Sequence, residues 1–406
     1  MNVPLEMIDR SYEGTLTLSV VCLKGAFKSN FFYSTNQTLH AMRNADVLGN
    51  PLSYRSVDLC FNYLRRAFFV LAVSLLLSCE GPFADEQSLS GKTNEINSAT
   101  NAKAFTSPGT PQLLVTGLLS GSGSTIGPGG DLFVTEGASG SILRVDPKTG
   151  DVTTFASGLP PYIIGIGGLM DVTFLDGTAY AIVTLVGSEF GTDDLVGIYR
   201  IDGPDSYTVI ADIGAFALAN PPTTDFFVGT GVQYSIETYR GAFLVTDGHH
   251  NRVLHVTRDG EITEIKTFGN IVPTGLAVSG NTIYVAQAGP IPHLPENGKV
   301  VSFSPNSPTV TTVASGARLV VDVELGRGQT LFALSQGVWD GVQEGSPAFP
   351  DTGSLVRVNA DGTYTAVATG LDRPTSLEFI GTTAYIVTLG GEIWTIEDVA
   401  GPPFGN

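Results

Sequence analysis

Three short runs decide the fold. Asp131-Leu132-Phe133-Val134-Thr135-Glu136 is followed by Ser141-Ile142-Leu143-Arg144-Val145-Asp146 and then by Asp151-Val152-Thr153-Thr154-Phe155-Ala156. Each run is apolar or β-branched, strand-length, and ended by Gly, Asp or Pro, which is the pattern of strands joined by tight turns. The opening phrase recurs at Thr178-Ala179-Tyr180-Ala181-Ile182, Gly241-Ala242-Phe243-Leu244-Val245, Thr282-Ile283-Tyr284-Val285-Ala286, Thr330-Leu331-Phe332-Ala333-Leu334 and Thr383-Ala384-Tyr385-Ile386-Val387. Six copies with about four strands each, at intervals of about 40–60 residues, predict a six-bladed β-propeller. An array of immunoglobulin-like sandwiches would need about 100 residues per unit. The last copy is short and lacks its outer strand. Pro111-Gln112-Leu113-Leu114-Val115-Thr116 fits that gap and would close the ring. No long period-3.6 stripe follows residue 90, so the body reads as all-β.

Composition agrees. The chain has 406 residues, 42 % hydrophobic and 15 % charged, with 49 Gly and 23 Pro, which is turn-rich but well supplied for a core. Its net charge of -18 excludes an electrostatic nucleic-acid binder. Three cysteines, none after Cys79, exclude a disulfide scaffold or a Cys-rich zinc module. The charge is uneven: residues 1–79 carry +2 and residues 80–406 carry -20.

That break coincides with Arg65-Arg66, an apolar run from Ala67 to Leu77, and Ser78-Cys79. The run is shorter than the roughly 20 residues that span a bilayer, and suits the core of a signal peptide. Leu76-Leu77-Ser78-Cys79 resembles a bacterial lipobox, which implies lipid attachment at Cys79. The expected organisation is an upstream extension over 1–63, poorly ordered or preceding the true start; a lipoprotein signal over 64–79; a flexible acidic tether over 80–110; the propeller over 111–401; and a tail over 402–406. The expected location is the bacterial cell envelope, periplasmic or at the cell surface, as a monomer whose membrane contact is the lipid anchor.

The recurring phrase resembles the ScyD/ScyE family of exported propeller proteins, associated with the gene cluster for a cyanobacterial sunscreen pigment. The residues that carry the likeness are Asp131–Gly137, Ile142–Asp146 and Thr153–Pro160, echoed at Val313–Gly316, Val356–Gly362 and Val367–Leu371. The resemblance covers about residues 111–397 and implies a propeller without implying a reaction. Thr246-Asp247-Gly248-His249-His250-Asn251-Arg252-Val253 looks like an NHL-repeat phrase, in which the Asp and the Asn-x-Arg-Val fix a turn; Asn251 and Arg252 read as turn and packing residues. Similar folds include calcium-dependent lactonases, a streptogramin lyase and quinone-dependent sugar dehydrogenases.

Two function classes follow. A Ca²⁺ ion, the cofactor a lactonase-like reading needs, would take oxygen ligands from several blades. Glu136, Asp171, Asp247, Gln287 and Asp322 stand near inner-strand ends and are the candidates. No Gly-x-Ser-x-Gly elbow or phosphate loop is present, and no catalytic residue is assigned. The histidine pair His249-His250 reads as a solvated loop. The other class is a binding module for a small molecule or a protein. Five insertions, at 160–168, 187–194, 214–227, 288–298 and 337–352, are rich in Gly, Pro and aromatics. Tyr162, Phe190, Phe227, His249, His293 and Trp339 are the candidate contact residues of such a loop face.

Overall fold

The computed structural model describes residues 109–400, so the expectations for residues 1–108 and for the 402–406 tail lie outside the described residues. The first strand, β1 (Gln112–Val115), belongs to the last blade. Blade 1 is β2 (Ser124–Ile126), β3 (Leu132–Glu136), β4 (Ser141–Val145) and β5 (Val152–Ala156). Blade 2 is β6 (Gly168–Leu175), β7 (Thr178–Thr184), β8 (Gly197–Gly203) and β9 (Ser206–Asp212). Blade 3 is β10 (Gln233–Tyr239), β11 (Ala242–Asp247), β12 (Arg252–Val256) and β13 (Ile262–Thr267). Blade 4 is β14 (Pro273–Ser279), β15 (Thr282–Gln287), β16 (Lys299–Phe303) and β17 (Thr311–Ser315). Blade 5 is β18 (Val320–Gly326), β19 (Thr330–Ser335), β20 (Gly353–Val358) and β21 (Tyr364–Leu371). Blade 6 holds β22 (Pro374–Ile380), β23 (Thr383–Thr388), β24 (Ile393–Ile396) and then β1.

The six-bladed propeller is therefore the fold. Its ring is closed as the sequence predicts: β1 pairs antiparallel with β24, Gln112 opposite Thr395 and Leu113 opposite Trp394. This closure leaves no blade one strand short and ties the two ends of the body together. One element departs from the all-β expectation. A seven-residue helix α1 (Ile213–Ala219) sits between blades 2 and 3, capped by Asp212, whose side chain accepts from Ala215 N at 2.8 Å. It makes about two turns, packed through Ile213 and Ala217, and is too brief to leave a helical period in the sequence. Among the described residues no helix is long and apolar enough to cross a membrane.

Local chemistry sets the hairpins. Asp176-Gly177 and Arg240-Gly241 join inner strands to their partners with both central residues at positive φ, the type I′ geometry that matches strand twist. The apolar faces of neighbouring blades then pack on each other. Phe133 of blade 1 meets Phe155 of its own blade and Phe174 of blade 2 edge to face, with ring centroids 5.0 and 4.7 Å apart. Burying one such ring contributes about 1.5–3 kcal/mol.

The inner strands β2, β6, β10, β14, β18 and β22 line the central channel, and hydrogen bonds from first and second strands tie each blade to the next. Thr135 Oγ1 donates to Met170 O, Gln233 N donates to Thr184 Oγ1, Thr246 Oγ1 donates to Thr274 O, and Thr274 Oγ1 donates to Val320 O. Asp322 accepts from Leu377 N, and Ser124 and Ser376 share a hydroxyl bond that completes the circle.

Candidate functional site

Two regions carry chemistry: the channel and one face of the ring. The channel is narrow, with a cavity of about 20 Å³, room for about one water. Its lining comes from all six blades and includes five carboxyl groups, Asp171, Glu237, Asp322, Glu324 and Glu378, with no lysine, arginine or histidine among them.

β-bulges aim two of these groups. The pairing register of β6 slips between Leu169 and Asp171, and that of β18 between Val320 and Asp322. A bulge re-aims the residue beside it. Each aspartate then does the same job. Asp171 accepts from its own Val172 N at 2.8 Å and from Ile236 N of blade 3 at 2.9 Å. Asp322 accepts from Val323 N at 2.8 Å and from Leu377 N of blade 6 at 2.8 Å. The preceding blade makes room in each case: a Cβ on Gly123 would overlap Asp171, and one on Gly275 would overlap Asp322. The trio Gly123, Asp171, Ser235 is thus repeated three blades on as Gly275, Asp322, Ser376.

Burial without a cation pushes all five carboxyls up. Desolvation raises Asp171 well above the usual carboxylate range, with repulsion from Asp322 adding to it and backbone donors opposing. Asp322 is pushed up to about 7 by the same burial, against its two backbone donors. Glu324 and Glu378 are also raised well above the ordinary range, Glu324 by burial and then by Glu237 and Asp322, Glu378 by burial and then by Glu324 and Glu237. Burial also raises Glu237. In the channel, burial favours the neutral form of each of these carboxyl groups over its form in water.

The other region follows from topology. In a four-stranded antiparallel blade, the second-to-third connection and the crossing to the next blade leave from the same side of the ring. All five insertions are connections of these two kinds. They meet one another. The 337–352 insertion of blade 5 is a self-bonded arm: Phe349 N donates to Val338 O, Trp339 Nε1 donates to Ser346 Oγ, and Ser346 bonds Asp340. A Cβ on Gly345 at its tip would touch Ile166 of blade 2 at 3.6 Å. Blades 2 and 5 are opposite in a ring of six, so the arm crosses the channel mouth. Trp339 also lies edge-on to His293 of blade 4, ring centroids 5.9 Å apart. Ile166 and Phe190 pack with Leu185, Val228, Val232 and Tyr234 from blades 2 and 3. Burial, with the charges of Glu344 and Asp247 nearby, pushes Tyr234 up to about 12.

The histidine pair is not the solvated loop the sequence suggested. His250 is buried; its Nε2 faces Val228 O at 3.0 Å and its Nδ1 faces Arg252 at 3.0 Å. Arg252 is itself buried, donates to Asp247 and Asn220 O, and lies over Phe216. His249 Nε2 accepts from Phe227 N at 2.8 Å and Val228 N at 3.1 Å, which fixes the proton on Nδ1. Burial and the adjacent His250 hold its pKa below the usual value. Asn251 stands at φ 56° and accepts from Ile271 N and Val272 N, in keeping with its reading as a turn residue.

The five candidate metal ligands are not brought to one centre. Asp171 and Asp322 face the channel. Glu136 accepts from Leu119 N and Ser139 Oγ at its own turn, and Asp247 accepts from Val232 N, His250 N and Arg252. Gln287 is buried at the end of β15, opposite Lys299. Among the described residues no group of three or more His, Cys, Asp or Glu is placed to hold a metal ion. Of the loop-face candidates, Phe190, Phe227, His249, His293 and Trp339 are tied into the insertions as described. Tyr162 N donates to Gly137 O and anchors the 160–168 insertion. Sequence reasoning missed Glu237, Glu324 and Glu378. Their signal is a repeated triplet on the inner strands: Ser235-Ile236-Glu237, Asp322-Val323-Glu324 and Ser376-Leu377-Glu378.

Comparison with known proteins bears on the fold. No family model matches the chain, and no curated protein matches it. Solved structures do. A gluconolactonase from Xanthomonas campestris superposes with a TM-score of 0.51 at 13% identity, covering 71% of this chain and 88% of its own. The aldose sugar dehydrogenase of Streptomyces coelicolor, bound to PQQ, gives 0.51 at 16% identity, covering 72% and 99%. Virginiamycin B lyase from Staphylococcus aureus gives 0.45 at 14% identity, covering 71% and 98%. The chain shares the propeller fold of the gluconolactonase and the sugar dehydrogenase.

Proposed function

We propose that this protein is an exported, envelope-anchored propeller of the ScyD/ScyE type, and that it works as a binding module through its insertion face. The observation that carries this reading is the placement of all five insertions on one side of the ring, packed into a single roof. Exposed apolar side chains follow them. Fifteen large hydrophobic side chains are exposed among the described residues, and only Leu113, Val152, Tyr207 and Val310 lie away from that face's connections. Contiguous exposed apolar surface on a rigid scaffold marks recognition. Tyr162, Phe190, Phe227, His249, His293 and Trp339 hold or form that surface. Lipid attachment at Cys79 would present it at the membrane, with 80–110 as the tether. The test is capture of envelope extract on the immobilised protein, against a variant with Phe227→Ser and Phe349→Ser. Partners retained equally by both proteins would refute the reading.

A second reading is a lactonase-like hydrolase or lyase. It is favoured by carboxyl groups converging on the channel from four blades and by the gluconolactonase among proteins of the same fold. In that case Ca²⁺ would be the expected cofactor. Melting the protein with excess Ca²⁺ and with EDTA tests it, because an ion that binds the folded state alone must raise the midpoint. Equal midpoints would remove the calcium-dependent reading.

A further inference from the structure

The insertions are unlike the rest of the body in charge chemistry as well as in length. None of the five contains a lysine or an arginine. They carry eight carboxylates, in 187–194 (Glu189, Asp193, Asp194), 214–227 (Asp225), 288–298 (Glu296) and 337–352 (Asp340, Glu344, Asp351). Six of these are exposed, all but Asp194 and Asp340. None of the eight is in an ion pair among the described residues. The insertion face has its arginines elsewhere, Arg318 and Arg373 in short blade crossings, the latter paired with Asp372, while the turns of the opposite face hold Lys148, Arg240, Arg258 and Arg327 among their acids, with Arg258 paired with Asp176.

On the insertion face the acids are interleaved with exposed apolar groups. Asp225 directly precedes Phe226 and Phe227, which are 43% and 64% exposed. Glu344 stands two residues from Val342, 64% exposed, and Asp351 two residues from Phe349, 50% exposed. The arm meets Ile166 and His293, and Val228, next in sequence to Phe227, packs in one cluster with Ile166 and Phe190, so these segments are neighbours over the channel mouth. A surface of unpaired carboxylates alternating with aromatic and aliphatic groups complements a partner alternating cations with apolar side chains. Guanidinium and ammonium groups can pair with the acids or lie over the phenyl rings.

We infer that the insertion face docks a basic amphipathic peptide segment, with Lys or Arg beside Leu or Phe, through Asp225, Glu296, Glu344 and the neighbouring Phe226, Phe227 and Phe349. This inference rests on the binding-module reading above and adds the chemical class of the partner.

The experiment is titration calorimetry of the full chain with three short synthetic peptides. One alternates Arg/Lys with Leu/Phe, one replaces every cation with Glu, and one keeps the cations and replaces every apolar residue with Ser. Zwitterionic and anionic lipid vesicles are run in parallel. The first peptide should bind, and raising salt from low ionic strength to about 0.3 M should weaken it about tenfold, because exposed pairs are screened. The triple variant Asp225→Asn, Glu296→Gln, Glu344→Gln should lose about tenfold in affinity while melting as the parent does, since these side chains are exposed and unpaired. Equal binding of the Glu peptide, or unchanged affinity in the triple variant, overturns the partner class. If vesicles or the Glu peptide bind instead, and Phe227→Ser abolishes that binding, the face remains a binding face and only the basic-peptide inference falls. If nothing bound by the protein responds to either set of substitutions, the binding-face reading falls with it.

Discussion

The two faces of the ring are built from the same six repeats and differ in what the repeats are allowed to grow. On one face the hairpin connections run from two residues, as at Asp176-Gly177 and Arg240-Gly241, to seven, and stay short. On the other the connections lengthen up to the 337–352 arm, cross the channel mouth and pack on one another. The tight-turn face is fixed by the requirement that adjacent strands pair. The insertion face is free of that requirement and holds its shape by a small number of buried polar contacts. Asp247, His250 and Arg252 are the densest of these.

The largest effect that would break this contrast is at that network. Asp247→Ala leaves buried Arg252 with the part-exposed Glu264 as its remaining carboxylate and should cost about 3–5 kcal/mol in denaturant unfolding. Asp259→Ala on the opposite face should change stability by less than about 0.5 kcal/mol. Comparable losses from both would mean the faces are not distinct in this way.

The next effect sharpens the channel's place between the faces. Folded-state values above the unfolded ones mean that the carboxyls hold protons the unfolded chain releases. Their stabilising contribution is complete below about pH 4 and is lost as pH rises through the raised folded values, about 7 at Asp322. Thermal midpoints between pH 5 and 9 should therefore fall with rising pH from this source. Glu378→Gln should flatten that slope and melt above the parent at pH 8. A variant with the parental slope would show that the channel does not hold these protons.

A third substitution tests the repeat within the channel. Gly123→Ala and Gly275→Ala should each cost about 1–3 kcal/mol, since each added methyl meets an aspartate already bonded to the next blade. Similar losses from both would bear out the trio three blades apart.

The smallest effect is local. His249 accepts two backbone bonds only when neutral, and its folded value lies below the usual 6.5. That contribution is present above about pH 6.5 and is lost as pH falls through the lower folded value. Amide exchange at Phe227 and Val228 should quicken at acid pH while the Arg240-Gly241 turn keeps its protection. Equal quickening at both would point to global loosening.

Much of the ring was legible because a propeller repeats a strand pattern that water exposure imposes six times over. The closing strand could be read from the missing fourth strand of the last copy, and the insertions from spacing alone. The channel acids were only half legible. Asp171 and Asp322 were found, but as members of a ligand set with Glu136, Asp247 and Gln287 that the fold spends on turns and burial. Glu237, Glu324 and Glu378 were passed over because period-two alternation does not say which parity faces the axis. The bulges in five of the six inner strands decide that, and a bulge leaves little trace in residue type.

The sequence by itself determined the number of blades, the closing strand, the position of every insertion and the acidity of the body, since each is a property of local pattern and spacing. The tertiary structure decided the rest. It put all the insertions on one face, carried the blade 5 arm across to blade 2, buried the histidine pair beside Arg252, and gathered five carboxyls into a channel without a cation. These depend on contacts between residues distant in the chain, and only the closed ring brings them within reach.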